Sequence, residues 1–307
     1  NYAITKAMPS LSGKPAPYHY QALKSIKEEF NEAGFQLYGL EGDQFDMTPI
    51  KLGLEKRDES IEKYQQMIQN MGELDIDLLC YNFMASIGWF RTNVNVPDRG
   101  GALTSEFDYS EIKNDILPDE LRIDENKLLD NLYYFLEAVL PVAEKYGVKM
   151  ALHPDDPPIS PLKGVGRILT NAGVFDEIIR RYPSPSNGIA FCQATFKTMG
   201  EDIKAISQKW LNDNRIFFLH LRDVEGDKYK FRETFYDEGP TDRREMLLHY
   251  YKNGFDGPLR PDHAPAMYGE IQENVSGGIS AGYEMMGKLL AIGHIRGICE
   301  ALKIPLL

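Results

Sequence analysis

Short apolar runs alternate with longer amphipathic stretches along the whole chain, and Gly, Pro, Asn and Asp mark most of the junctions. Near-continuous apolar runs of four to seven residues are what strands buried on both faces look like, and periods of three and four between them indicate helices with one apolar face. The runs predict strands over Tyr2–Thr5, Phe35–Leu40, Asp77–Asn82, Val148–His153, Gly188–Cys192, Ile216–Arg222 and Pro258–Asp262. The amphipathic stretches predict helices over His19–Ala33, Glu59–Gly72, Asn126–Tyr146, Gly173–Arg181, Glu201–Asn212, Asp242–Asn253 and Ala281–Ile295. Such alternation is the signature of βα units wound around a parallel sheet.

Two architectures satisfy that rhythm, an open doubly wound sheet and a closed barrel. The doubly wound dinucleotide fold places G-x-G-x-x-G after its first strand, whereas here the first strand is followed by MPSLSGKP. The expected fold is therefore α/β, a (β/α)8 TIM barrel spanning residues 1–307 as one domain. Seven strands are one short of eight, and the chain opens in strand character without Met, so the first barrel strand is expected upstream or in irregular form. One long interruption, Phe90–Leu121, follows a strand end and has no sustained periodicity. In a barrel that position lies on the active-site face, and the segment is expected to be a lid with Gly100-Gly101 as its hinge.

Composition narrows the functional class. The 307 residues carry 34 Lys+Arg against 46 Asp+Glu, a formal net charge of −12. That balance, without a basic cluster interleaved with aromatics, argues against nucleic acid or an anionic membrane as partner. No apolar stretch is long enough to span a bilayer, and the default location is cytoplasmic. Three cysteines cannot all pair, so Cys80, Cys192 and Cys299 are read one by one as core thiols or ligands. Cys80 and Cys299 lie in apolar settings that suit packing.

Four potential metal ligands end successive late strands: His153 in MALHPDD, Cys192 in GIAFCQA, His220 in FFLHLRD and Asp262 in LRPDH. Each alone has an ordinary structural role, but strand ends converge on one mouth in a barrel. Two imidazoles, a thiolate and a carboxylate suit Mn²⁺, Fe²⁺, Co²⁺ or Zn²⁺ and disfavour the all-oxygen ions Mg²⁺ and Ca²⁺. Around them Arg91, Arg222, Arg260 and Asp155 are read as substrate contacts, since guanidinium groups hold carboxylates by charge-assisted hydrogen bonds. His263, beside Asp262, and the tyrosines Tyr236 and Tyr283 complete the candidates.

The strings CYNFM…GWFRTN, ALHPDDPP, NGIAFC, FFLHLRDV, KFRETFYDEGPTD and GFDGPLRPDHAP resemble those of the mannonate dehydratases, metal-dependent barrels related in fold to xylose isomerase. The resemblance runs from about residue 35 to 297 and implies that Tyr2–Thr5 is the second barrel strand. It implies Mn²⁺ at His153, Cys192, His220 and Asp262, and proton transfer by His263 with Tyr283. It departs from the family at Tyr236, where the family string has His. The implied reaction removes water from D-mannonate to give 2-dehydro-3-deoxy-D-gluconate. A sugar or sugar-acid isomerase or epimerase using the same enediolate is the alternative enzyme, and a sugar-acid-binding protein without turnover the alternative from another class. The partners expected are a small sugar acid and, in a homo-oligomer, further copies of the chain.

Overall fold

The computed structural model describes residues 2–270 and 282–306. Its strands in chain order are β1 (Tyr2–Thr5), β2 (Gln36–Glu41), β3 (Leu78–Tyr81), β4 (Asn93–Pro97), β5 (Leu103–Asp108), β6 (Lys149–Leu152), β7 (Asn187–Cys192), β8 (Ile216–Leu221), β9 (Val224–Gly226), β10 (Lys230–Glu233) and β11 (Leu259–Pro261). Seven of them form one sheet in the order β1-β2-β3-β6-β7-β8-β11, and every neighbouring pair is parallel. Strand order that follows chain order without reversal is the winding of a barrel, whereas a doubly wound sheet reverses at a switch point. The sheet curls strongly, because Arg260 on β11 reaches Glu41 at the end of β2 at 2.6 Å although four strands lie between them in the order. All seven predicted barrel strands are present, within one or two residues of their predicted bounds.

Side chains alternate across these strands. Leu79, Met150, Leu152, Ile189, Phe191, Leu219 and Leu221 point outward into the main core, against helices such as Arg57–Glu73, Glu125–Tyr146 and Ile203–Asn212. Leu78, Cys80, Ala151, Ala190 and Phe218 point inward and fill the barrel with Ile4 and Tyr38. Burial on both faces explains why the strands read as apolar runs. Helix starts are set by side-chain caps. Asp124, Asn171, Asp202 and Asp242 accept backbone N–H bonds from Lys127, Val174, Lys204 and Glu245 respectively. The last helix runs Met285–Leu302, longer at its end than predicted, because apolar residues continue past Gly297. The predicted start at Ala281 lies outside the described residues. No described helix is long and apolar enough to cross a membrane.

Phe90–Leu121 is more ordered than its sequence suggests. It contains β4 and β5, which join β10 and β9 in a four-stranded antiparallel sheet of order β4-β5-β10-β9. Gly100 and Gly101, both at positive φ, lie between β4 and β5, so the pair serves a turn where the sequence suggested a hinge. A satellite core of Phe107, Ile112, Ile159, Leu162, Ala194, Val224 and Phe231 fastens this sheet to the barrel.

Candidate metal centre and active site

The inward alternation of β6, β7 and β8 carries one step beyond Ala151, Ala190 and Phe218 to His153, Cys192 and His220. Ligand atoms of these three lie within 4.8 Å of one another. Asp262, just past β11, brings Oδ2 to 3.7 Å from Cys192 Sγ and 4.0 Å from His220 Nδ1. His153, Cys192 and His220 thus form one convergent group at the mouth, with Asp262 beside Cys192 and His220. His153 Nδ1 lies 2.7 Å from the Pro154 carbonyl, which only accepts, so Nδ1 carries the hydrogen and Nε2 keeps a lone pair.

His220 tests whether a cation fits. Its side chain is 0% exposed, yet neither ring nitrogen has a hydrogen-bond partner. Leaving such a group unpaired costs about 1–3 kcal/mol, and an ion on the lone-pair nitrogen would relieve one of the two. Burial, and next the Arg260 charge, push the His220 pKa well down, which keeps the ring neutral as a ligand must be. Burial pushes the Cys192 thiol up to about 12, so the thiol stays protonated unless a bound cation's charge were to draw the proton off. The nitrogen, sulfur and oxygen donors suit a transition ion. On the other side of the His220 ring, Nε2 lies 3.6 Å from Glu41 Oε1, and Cys80 completes a second convergent group.

His263 and Tyr283 flank these candidate ligands. Tyr283 donates its hydroxyl to Asp262 Oδ1 at 3.0 Å, and His263 Nε2 lies 3.8 Å from the same oxygen. The two rings meet edge to face at 5.2 Å, and Trp89 packs on His263 from another side at 5.0 Å. Burial of the hydroxyl, then the Asp262 charge, push the Tyr283 pKa well above the usual value, so it holds its proton. The ring itself is 38% exposed and leans toward solvent. The opposite nitrogen of His263, Nδ1, is 3.1 Å from Glu233 Oε1.

The arginines are placed differently from a free rim. Arg222 donates to Asp262 Oδ2 at 2.9 Å, Glu233 Oε1 at 2.9 Å, and Asp156 Oδ2 and Thr195 Oγ1 at 2.7 and 2.8 Å. Arg91 grips both oxygens of Asp156 at 2.7 and 2.9 Å and reaches Glu233 at 2.7 Å. Both guanidinium groups are buried in these pairs. Arg260 sits at the mouth between Glu41 and Asp262 and is partly exposed. Asp155 turns away, spending its carboxylate on the N–H groups of Ile168 and Leu169 and on Arg167. Tyr236 donates to the Leu221 carbonyl and stacks near Arg243, packing behind β8.

Sequence reasoning passed over Glu41, Asp156 as an arginine partner, Glu233 and Lys288. Glu41 ends its strand as the ligands do, a signal available beforehand. Glu233 lies on β10, in a sheet the sequence did not disclose. Lys288 donates to the carbonyls of Pro261 and Asp262 and caps the end of β11 from the last helix, where nothing in the sequence marks it. Burial brings its pKa down to about 8.

Fold and donor set together define the class, a xylose isomerase-like (β/α)8 barrel with a group of possible metal-ligating residues at the carboxyl ends of its strands. Within that class, residues 4–305 match D-mannonate dehydratase (UxuA), and the chain belongs to this family. It is 31% identical to the mannonate dehydratase of Lactococcus lactis subsp. cremoris, over 92% of this chain and 87% of that one. Against the mannonate dehydratase of Thermotoga maritima the identity is 32%, over 92% and 86%. The crystal structure of mannonate dehydratase from Streptococcus suis serotype 2 superposes with a TM-score of 0.87 at 29% identity, covering 98% of this chain and 87% of that one. A D-tagatose 3-epimerase-like protein shares the fold, with a TM-score of 0.60 at 16% identity over 93% and 85%.

Proposed function

We propose that the chain dehydrates D-mannonate to 2-dehydro-3-deoxy-D-gluconate, with a divalent ion, Mn²⁺ by preference, held by His153, Cys192, His220 and Asp262. The observation that carries this reading is the meeting of His263 and Tyr283 at one oxygen of Asp262, whose other oxygen faces Cys192 and His220. A cation there supplies positive charge beside the substrate carboxylate, where negative charge builds as C2 loses its proton. His263, whose Nε2 lies on the side of Asp262 and Tyr283, takes the C2 proton. The C2–H electron pair becomes the C2–C3 double bond, the C3–O bond breaks, and the hydroxyl leaves as water with the Tyr283 proton. The enol then gains a proton at C3 and gives up the one on its C2 hydroxyl, leaving the 2-keto acid. Tyr283 suits the acid role because its surroundings keep it protonated.

Isomerisation or epimerisation would use the same enediolate but return the proton without breaking C3–O, and family membership does not favour it. Phe90–Leu121, which supplies two strands of the antiparallel sheet, serves in this reading as a lid, since Val94, Leu103, Thr104 and Ser105 line the hollow beside His263. Among the arginines, Arg260 is the one open enough to meet the substrate carboxylate. The test is an assay of Mn²⁺-loaded protein against a panel of aldonates. Formation of 2-keto acid from D-mannonate is expected, and loaded protein that leaves every aldonate unchanged would overturn the reading.

A further inference from the structure

The carboxylate of Glu233 has no place in the reaction as written, yet it is among the most heavily engaged groups in the molecule. It is 2% exposed at the end of β10. Its Oε1 accepts from Arg91 at 2.7 Å, from Arg222 at 2.9 Å and faces His263 Nδ1 at 3.1 Å, while Oε2 has no partner. Thr104 on β5 donates to the backbone carbonyl of Glu233 at 3.1 Å, so the strand itself is pinned. Asp156 ties both arginines together from behind.

We propose that Glu233 is the positioning residue for His263, fixing the ring with its hydrogen on Nδ1 and its lone pair on Nε2, toward Asp262 and Tyr283. The proposal rests on the reading of His263 as the proton-transfer residue. An ionised carboxylate is an acceptor only, so the nitrogen facing it must bring the hydrogen. Two guanidinium groups on one carboxylate keep it ionised and leave it no freedom to turn. Without Glu233 the ring has no anchor on that side, and either tautomer and either ring flip become available. The antiparallel sheet thereby contributes to proton transfer a residue that acts through His263.

The test is a double-mutant cycle on Mn²⁺-loaded protein with D-mannonate, using Glu233→Gln, His263→Asn and the pair, with metal content and melting temperature measured on each. Loss of an orienting partner of this kind costs about 10–100-fold, so Glu233→Gln should lower kcat by that factor with KM nearly unchanged. In the His263→Asn background it should cost nothing further. Equal losses in both backgrounds, an unchanged kcat, or a loss confined to KM would overturn the proposal. Should Glu233→Gln fail to fold, the tautomer is read directly in zinc-loaded wild-type protein labelled with [¹⁵N]histidine, the His263 signals being those missing from His263→Asn. A hydrogen on Nδ1 supports the proposal and one on Nε2 overturns it. The spectrum requires no turnover, so failure to dehydrate D-mannonate defeats the functional reading and leaves this test standing.

Discussion

Strand β7 is buried at all six positions, whereas β10 alternates exposed and buried, with Phe231 and Glu233 turned in and Lys230 and Arg232 turned out. The first belongs to a parallel sheet covered by helices outside and side chains inside, the second to an antiparallel sheet with one wet face. Both deliver a charged or ligating residue to one site, yet with different security. A ligand on β7 is held by packing around the whole barrel, while Glu233 is held by a small satellite core and by its ion pairs. The rigid sheet therefore carries the metal-type donors, and the lighter one carries the group that orients an acid–base residue.

The sharpest break of that division is removal of a barrel ligand. His220→Ala or Cys192→Ala is expected to strip bound metal and with it turnover, read by elemental analysis beside the assay. Full occupancy at unchanged affinity in both variants would mean that the ion is held elsewhere. Next in size is His263→Asn, which should lower kcat by about 10²–10⁴-fold while metal content stays near wild type. If excess Mn²⁺ restored wild-type turnover, His263 would act by holding Asp262 and not by moving protons.

A paired truncation compares the two sheets by stability. Phe218→Ala, inside the barrel, is expected to cost about 3–5 kcal/mol, seen as a lower urea midpoint for the whole molecule. Phe231→Ala, in the satellite core, should shift that midpoint less and instead speed amide exchange in β4, β5 and β10. Equal global losses would show that the antiparallel sheet folds as one unit with the barrel. The smallest effect expected is a pH dependence. Burial raises the Glu233 pKa, but Arg222, His263 and Arg91 outweigh it and hold it down to about 2, against 4.5 for the free group. The native state therefore binds this proton less readily than the unfolded chain does. Its contribution is complete above pH 4.5 and fades as pH falls toward 2, so acid unfolding curves of Glu233→Gln should be flatter in that interval. Curves of identical slope would remove Glu233 from the acid sensitivity.

The contrast also sets what the sequence discloses. Barrel strands announce themselves because burial on both faces leaves only apolar residues, and the candidate ligands announce themselves as polar residues at the ends of those runs. β4 does not, because Asn93, Asn95 and Pro97 are poor strand formers and exposed, and pairing with β5 makes them a strand. The arginines read as a substrate rim because charge at a mouth suggests a ligand. Which carboxylates meet them is decided by contacts 65 and 142 residues apart, from Arg91 to Asp156 and to Glu233, that no local pattern encodes. Tyr236 suggested a change at the site, yet its hydroxyl is bonded to a strand carbonyl behind the ligands.

The alternation that puts Phe218 and His220 inside and Leu219 and Leu221 outside also restricts how this lineage can change its length. One residue gained or lost between Phe218 and His220 would turn His220 into the helix layer and a leucine into the mouth, disrupting the proposed metal site and the core packing in one event. Descendants can survive such events in the connections. Strand ends bearing His153, Cys192 and His220 are closed to insertion, and the enzyme's diversification is steered toward its loops.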